Sequence, residues 1–199
     1  MMSNNQKSVD NREKLMMAAI DLIAERGYNG VSTKEIAAEA NVNEVTLFRQ
    51  FGSKLNLFES AFHRYHYGEE MTKLFQEKLV WELETDLLLI SRKYHAIMSR
   101  NRKMIQITLK ENAVLSEFKV KANSHPLQLK SLLTHYFTEM TDRGKIVCSN
   151  PELQALSFMW MNYGAFISQL NSKGSSFPGV LMDDYINESV HLFTRALTP

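Results

Sequence analysis

The 199-residue chain predicts an all-α fold, and three observations carry that expectation. Apolar residues recur at helical spacing along most of its length. Capping and stopping residues (Ser32, Asn43, Gly52, Ser53, Asn150-Pro151) punctuate those stretches where helices should begin and end. Alternating apolar and polar runs bounded by turn residues, the mark of strands, are missing.

Taken in order, residues 1–9 read as a disordered N-terminus. Asp10–Arg26 reads as an amphipathic helix with Leu15, Ala18, Ala19, Leu22 and Ile23 on one stripe. Gly27 stops it, and Tyr28-Asn29-Gly30 turns the chain. Ser32 caps the next helix, with Glu35 as its capping-box partner and Ile36, Ala37 and Ala40 on one face. Asn41 suits a left-handed C-cap. Asn43 caps a further helix carrying Val45, Leu47, Phe48 and Phe51, and Gly52 ends it. Ser53 then caps a helix expected over Lys54–Tyr67, with Gly68 a break. Glu69–Leu79, Trp81–Arg100, a less regular 103–119, 126–142, 151–171 and 180–197 complete the expected helices. Two short helices joined by a three-to-four-residue turn are the geometry that places the second helix in a DNA major groove.

Leu15–Phe62 resembles the DNA-binding domain of the TetR (tetracycline-repressor) family of bacterial regulators. The resemblance rests on Glu25-Arg26-Gly27-Tyr28, Ile36-Ala37, Val42, Thr46-Leu47-Phe48, Phe51 and Ser53-Lys54 at the family spacing. It implies a division into a helix-turn-helix domain over 10–55 and a helical ligand-binding and dimerisation domain over 56–199.

Position along the helices assigns the chemistry. Thr33 and Lys34, in the first turn of the first motif helix, and Lys54, at the start of the helix after the motif, face phosphates. On the second motif helix Glu44, Val45, Thr46, Arg49 and Gln50 point away from the apolar side. Arg49 can read guanine, Gln50 adenine, and Val45 or Thr46 a thymine methyl. Glu44 accepts from cytosine N4 or tunes affinity downward; both readings stand at this point. The resemblance assigns DNA contact to the same positions and adds Asn43 and Phe48. Phe48 stands where the family usually has tyrosine, so a hydroxyl-to-phosphate contact is missing.

Toward the C-terminus, the helices over 151–171 and 180–197 carry apolar residues on nearly every face. A core on one side and a two-fold partner on the other accounts for that, giving a homodimer whose reading helices are spaced for a palindromic operator. The resemblance implies a small-molecule pocket in the same domain. Phe62, Tyr65, His66, Trp81, Tyr94, Met98, Tyr136, Phe137, Trp160 and Tyr163 are its candidate lining, suiting an apolar effector. Each is also an ordinary core candidate. Arg100, Arg102 and Lys103 form a basic cluster, read as an auxiliary phosphate contact, a coupling element or a solvated loop.

Composition sets the bounds. Hydrophobic content of 44% and charged content of 23% are those of a globular protein, and formal net charge is +1. Residues 1–54 hold seven Lys/Arg and seven Asp/Glu, so DNA affinity must come from the placement of a few cations. Catalytic loops and metal-binding motifs are not found, so neither enzyme activity, cofactor nor metal is expected. A single Cys148, a polar N-terminus and the absence of an unbroken apolar span point to the cytoplasm. The expectation is a ligand-released repressor. The alternatives are a DNA-binding dimer governed by a protein partner or by no ligand, and a helical binding or catalytic protein with a vestigial motif.

Overall fold

The structure is a computed structural model that describes residues 4–64, 68–110, 124–170 and 179–199. Every regular element among these residues is an α-helix: α1 (Asn4–Arg26), α2 (Thr33–Glu39), α3 (Glu44–Phe51), α4 (Lys54–Arg64), α5 (Gly68–Glu77), α6 (Leu83–Arg100), α7 (Arg102–Lys110), α8 (Ser124–Asp142), α9 (Pro151–Leu170) and α10 (Met182–Leu197). The chain divides into two compact units, one within Met1–His66 and Asn101–Lys121, the other within Tyr67–Arg100 and Ala122–Pro199.

The first unit closes around Leu15, Ala19, Ile36, Leu47, Leu57, Phe58 and Ala61, each fully buried. Apolar stripes of α1 to α4 supply this core, that of α1 running from Leu15 to Ile23. Helix α7 adds Met104 and Ile107, and Lys103 pairs with Asp21 of α1 at 2.8 Å. The unit therefore reaches past residue 55, the expected boundary, which falls inside α4. Helix α1 also starts at Asn4 rather than Asp10, so helical backbone covers Asn4–Val9, where disorder was expected. Once a helix is nucleated, each added residue gains a hydrogen bond, and no breaker stands between Asn4 and Asp10.

The second unit is built around α6, α8, α9 and α10, with α5 alongside. Its core includes Leu87, Ile90, Leu133, Tyr136, Phe137, Phe158 and Val190. Phe193 of α10 packs edge-on against Phe158 at 5.4 Å and tilted against Phe137 at 6.0 Å. Arg92 of α6 donates to Asp183 (3.2 Å) and Asn187 (2.9 Å) of α10. Helix α6 begins at Leu83, not Trp81, because Trp81 is left-handed (φ 63°) and cannot continue a helix. Gly68, expected as the break between two helices, opens α5 and is buried. Asn150 caps α9 through a 3.0 Å bond from Leu153 N–H to its side-chain oxygen, as its pairing with Pro151 predicts. Cys148 is half-buried. Expectations for Tyr65, His66 and residues 111–119 lie outside the described residues.

Candidate nucleic-acid interface

The motif is assembled by backbone caps. Ser32 Oγ accepts from Glu35 N–H at 3.2 Å, while Glu35 accepts from Ser32 N–H at 2.8 Å, closing the capping box. Arg26 adds a 2.8 Å ion pair to the same carboxylate. These donors pull the Glu35 carboxyl from its ordinary 4.5 to about 2, the Ser32 hydroxyl contributing most. Asn41 ends α2 at φ 53°, with Val42 N–H reaching Ala37 C=O (2.9 Å) and Asn41 N–H reaching Ala38 C=O (3.0 Å). That paired bonding is a Schellman stop, which fixes the angle between α2 and α3. Asn43 caps α3 by accepting from Val45 N–H at 2.8 Å, and Gly52 (φ 75°) ends it.

Helix α3 is two-sided. Leu47 is fully buried and Phe51 nearly so, whereas Val45 is 73% and Phe48 48% exposed, with Arg49 and Asn43 also exposed. Thr46 is half-buried. Lys34 is exposed on the first turn of α2. Among the described residues neither Lys34 nor Arg49 has a carboxylate partner, while Arg26, Lys14, Arg64 and Lys103 of the same unit are all ion-paired.

Four expected contact residues are held differently from the sequence reading. Lys54 points its ammonium into the unit, donating to the carbonyls of Tyr28 and of Val31 (2.5 Å) and lying 4.0 Å over the Tyr28 ring. It ties α4 to the turn after α1. Gln50 has its side-chain oxygen buried, so the paired oxygen and nitrogen that adenine requires are not both presented outward. Thr33 donates its hydroxyl to Glu44 at 2.7 Å, which engages two expected DNA contacts with each other. Arg12, not anticipated from sequence, lies 4.3 Å over the Phe51 ring and donates to Gln50 C=O at 3.3 Å. Its position near the middle of α1 carried no motif that marked it.

The expected effector lining is not gathered at one place among the described residues. Tyr94, Met98, Tyr136 and Phe137 are buried core of the second unit, whereas Trp160 (65% exposed) and Tyr163 stand on the outer face of α9. Phe62 belongs to the first unit. Trp81 stacks against Tyr136 and carries the Arg143 guanidinium 3.7 Å over its ring. An open cleft of about 360 Å³ lies between α9 and α10, lined by Gly164, Ala165, Ser168, Gln169, Val180, Met182 and Tyr185. None of these was picked out from sequence; the small Gly164-Ala165 pair was the signal available. Within the core, His95 is held by Asn162, and burial pushes its imidazole below the ordinary value. Among the described residues its Nε2 and the Ser91 Oγ one turn away have no hydrogen-bond partner. In the basic cluster Arg100 pairs with Glu70, which also accepts from Lys93 at 2.6 Å. Among the described residues no helix is long and apolar enough to cross a membrane.

Comparison with known proteins agrees with this geometry. The family model described as bacterial regulatory proteins, tetR family, matches residues 15–61. An uncharacterized HTH-type transcriptional regulator of Bacillus subtilis, YvkB, is 28% identical over 94% of this chain and 96% of its own length. Among solved structures, NalD of Pseudomonas aeruginosa, the secondary repressor of the MexAB-OprM multidrug efflux pump, superposes with a TM-score of 0.73 at 18% identity, over 96% of this chain and 98% of that one. The Bacillus subtilis regulator FadR, solved with stearoyl-CoA, gives 0.72 at 19% identity, over 92% and 97%. Residues 15–61 thus match the model of the tetR family of bacterial regulators, and over nearly its whole length the chain resembles an HTH-type transcriptional regulator and shares the fold of solved repressors.

Proposed function

We propose that this regulator is a cytoplasmic, homodimeric repressor that binds a palindromic operator and is released by a small apolar effector. The observation that carries the reading is α3 itself. One side of the helix is locked into the core by Leu47 and Phe51, while Val45, Phe48 and the unpaired Arg49 face outward. In this reading Arg49 recognises guanine, Val45 and Thr46 meet thymine methyls, and Lys34 with the first-turn amides of α2 holds a phosphate. The first unit is the DNA-binding module, and the second holds the effector and the partner subunit.

Dimerisation is supported by the outer faces of the last two helices. Leu153, Trp160 and Tyr163 of α9 and Leu192 of α10 are exposed apolar side chains, with Leu181 just before α10. Large apolar groups at this density mark a surface that another protein covers. Release requires an effector that binds preferentially to the dimer form whose reading helices do not match successive major grooves. The solved relative with stearoyl-CoA supports an acyl-type apolar compound as a first candidate. Gel shift on the DNA upstream of the chain's own gene, repeated with acyl compounds, tests the reading. A shifted band abolished by one of them is expected; no shift at any protein concentration contradicts DNA binding.

A further inference from the structure

Glu44 is an acid at the N-terminal end of the helix proposed to enter the major groove, where base edges are met first. It is not a loose surface carboxylate. The Thr33 hydroxyl of α2 donates to Glu44 Oε1 at 2.7 Å, and Glu44 is half-buried. A hydroxyl has one proton to give, so while this bond stands Thr33 cannot also donate to a phosphate. Its side chain acts through Glu44.

Resting on the reading that α3 enters DNA, we infer that the Thr33–Glu44 pair recognises a cytosine in each half-site, with Glu44 accepting from the cytosine N4 amino group. An ionised carboxylate is an acceptor only, and Oε2 remains available beside the oxygen held by Thr33. Guanine presents N7 and O6, and thymine presents O4; these are acceptors and repel it. Adenine offers its N6 amino next to the N7 lone pair, which also repels a second acceptor. Cytosine alone presents a donor with no acceptor beside it on the same base: its N4 amino group is flanked by guanine O6 on one side only, whereas adenine N6 is flanked by acceptors on both. Away from cytosine the carboxylate meets acceptors and phosphates without compensation, so the pair works by rejecting other sequences. The hydrogen bond from Thr33 fixes where Oε1 lies, which narrows the position Oε2 can read.

The experiment selects duplexes from a randomised library with the full-length protein and its Glu44→Gln, Thr33→Val and Thr33→Ser variants, each shown folded by its thermal melt. The wild type should return half-sites with one cytosine preferred roughly tenfold or more. Glu44→Gln should convert that position alone to adenine, because a carboxamide bonds adenine N6 and N7 together. Thr33→Val should weaken the preference there and nowhere else, and Thr33→Ser should restore it. If Glu44→Gln returns the wild-type consensus with uniformly tighter binding, the acid only tunes affinity and the inference fails while DNA reading stands. A uniform loss in Thr33→Val would make Thr33 a phosphate contact and overturn its part. Enrichment of no sequence by the wild type would overturn the inference together with the reading beneath it.

Discussion

Three donors converge on the exposed Glu35 carboxylate: the Ser32 hydroxyl, the Ser32 amide and Arg26. They exist only in the folded motif, so folding lowers the carboxyl's pKa from 4.5 to about 2. A depressed folded value means the stabilisation is complete above pH 4.5 and is lost as pH falls toward 2. Glu35→Gln should therefore flatten the dependence of unfolding free energy on pH over that interval and leave it unchanged at neutral pH, as urea titrations at several pH values would measure. A second single-residue prediction concerns Asp86, fully buried in the other unit. Its carboxylate accepts from Tyr136 O–H at 2.9 Å and from Val80 N–H at 2.8 Å. Burial, and after it the neighbouring Asp86 charge, push the Tyr136 phenol upward, so it stays a donor. Tyr136→Phe retains the ring against Trp81 but strands one carboxylate oxygen, which should cost about 1–3 kcal/mol in denaturant unfolding.

Among the elements, α2 and α3 are too short to be stable alone, and their caps and packing carry them. Ser32→Ala and Asn43→Ala should each cost about 1 kcal/mol in thermal or chemical unfolding. The Asn43 change should also fray the reading end of α3 and weaken operator binding. These caps were legible in the sequence because their chemistry is local: Ser32, Asn41, Asn43, Gly52 and Asn150 act through backbone groups a few residues away. The exposed and buried sides of α3 were legible for the same reason, since helical spacing separates Leu47 and Phe51 from Val45 and Arg49. What sequence did not reveal depends on residues distant along the chain. Thr33 meets Glu44 eleven positions away and across a turn, and Lys54 reaches back to Tyr28 and Val31. Helix α7 joins the first unit through Met104, Ile107 and the Lys103–Asp21 pair, which no local pattern announces. Aromatic and methionine residues were the least informative. Tyr94 and Tyr136 proved to be core while Trp160 is surface, and spacing alone does not separate the two.

For the whole molecule, the near-neutral charge and the proposed dimer govern how it would bind DNA. With few unpaired cations per motif, the salt dependence of operator affinity should be shallow for a DNA-binding protein. Trp160→Glu places a charge on the most exposed aromatic of α9 and should raise the dimer dissociation constant roughly 30-fold, or about 2 kcal/mol, by sedimentation or light scattering. Operator binding should fall with it, because a single reading helix engages one half-site. The measurement that reaches the centre of the account is operator affinity after Thr46→Ala and Arg49→Ala are combined on α3. Both side chains lie away from the buried Leu47, so the melt should not change, while affinity for the operator should fall at least a hundredfold with non-specific binding largely retained. A folded double variant that binds its operator like the wild type would contradict the account.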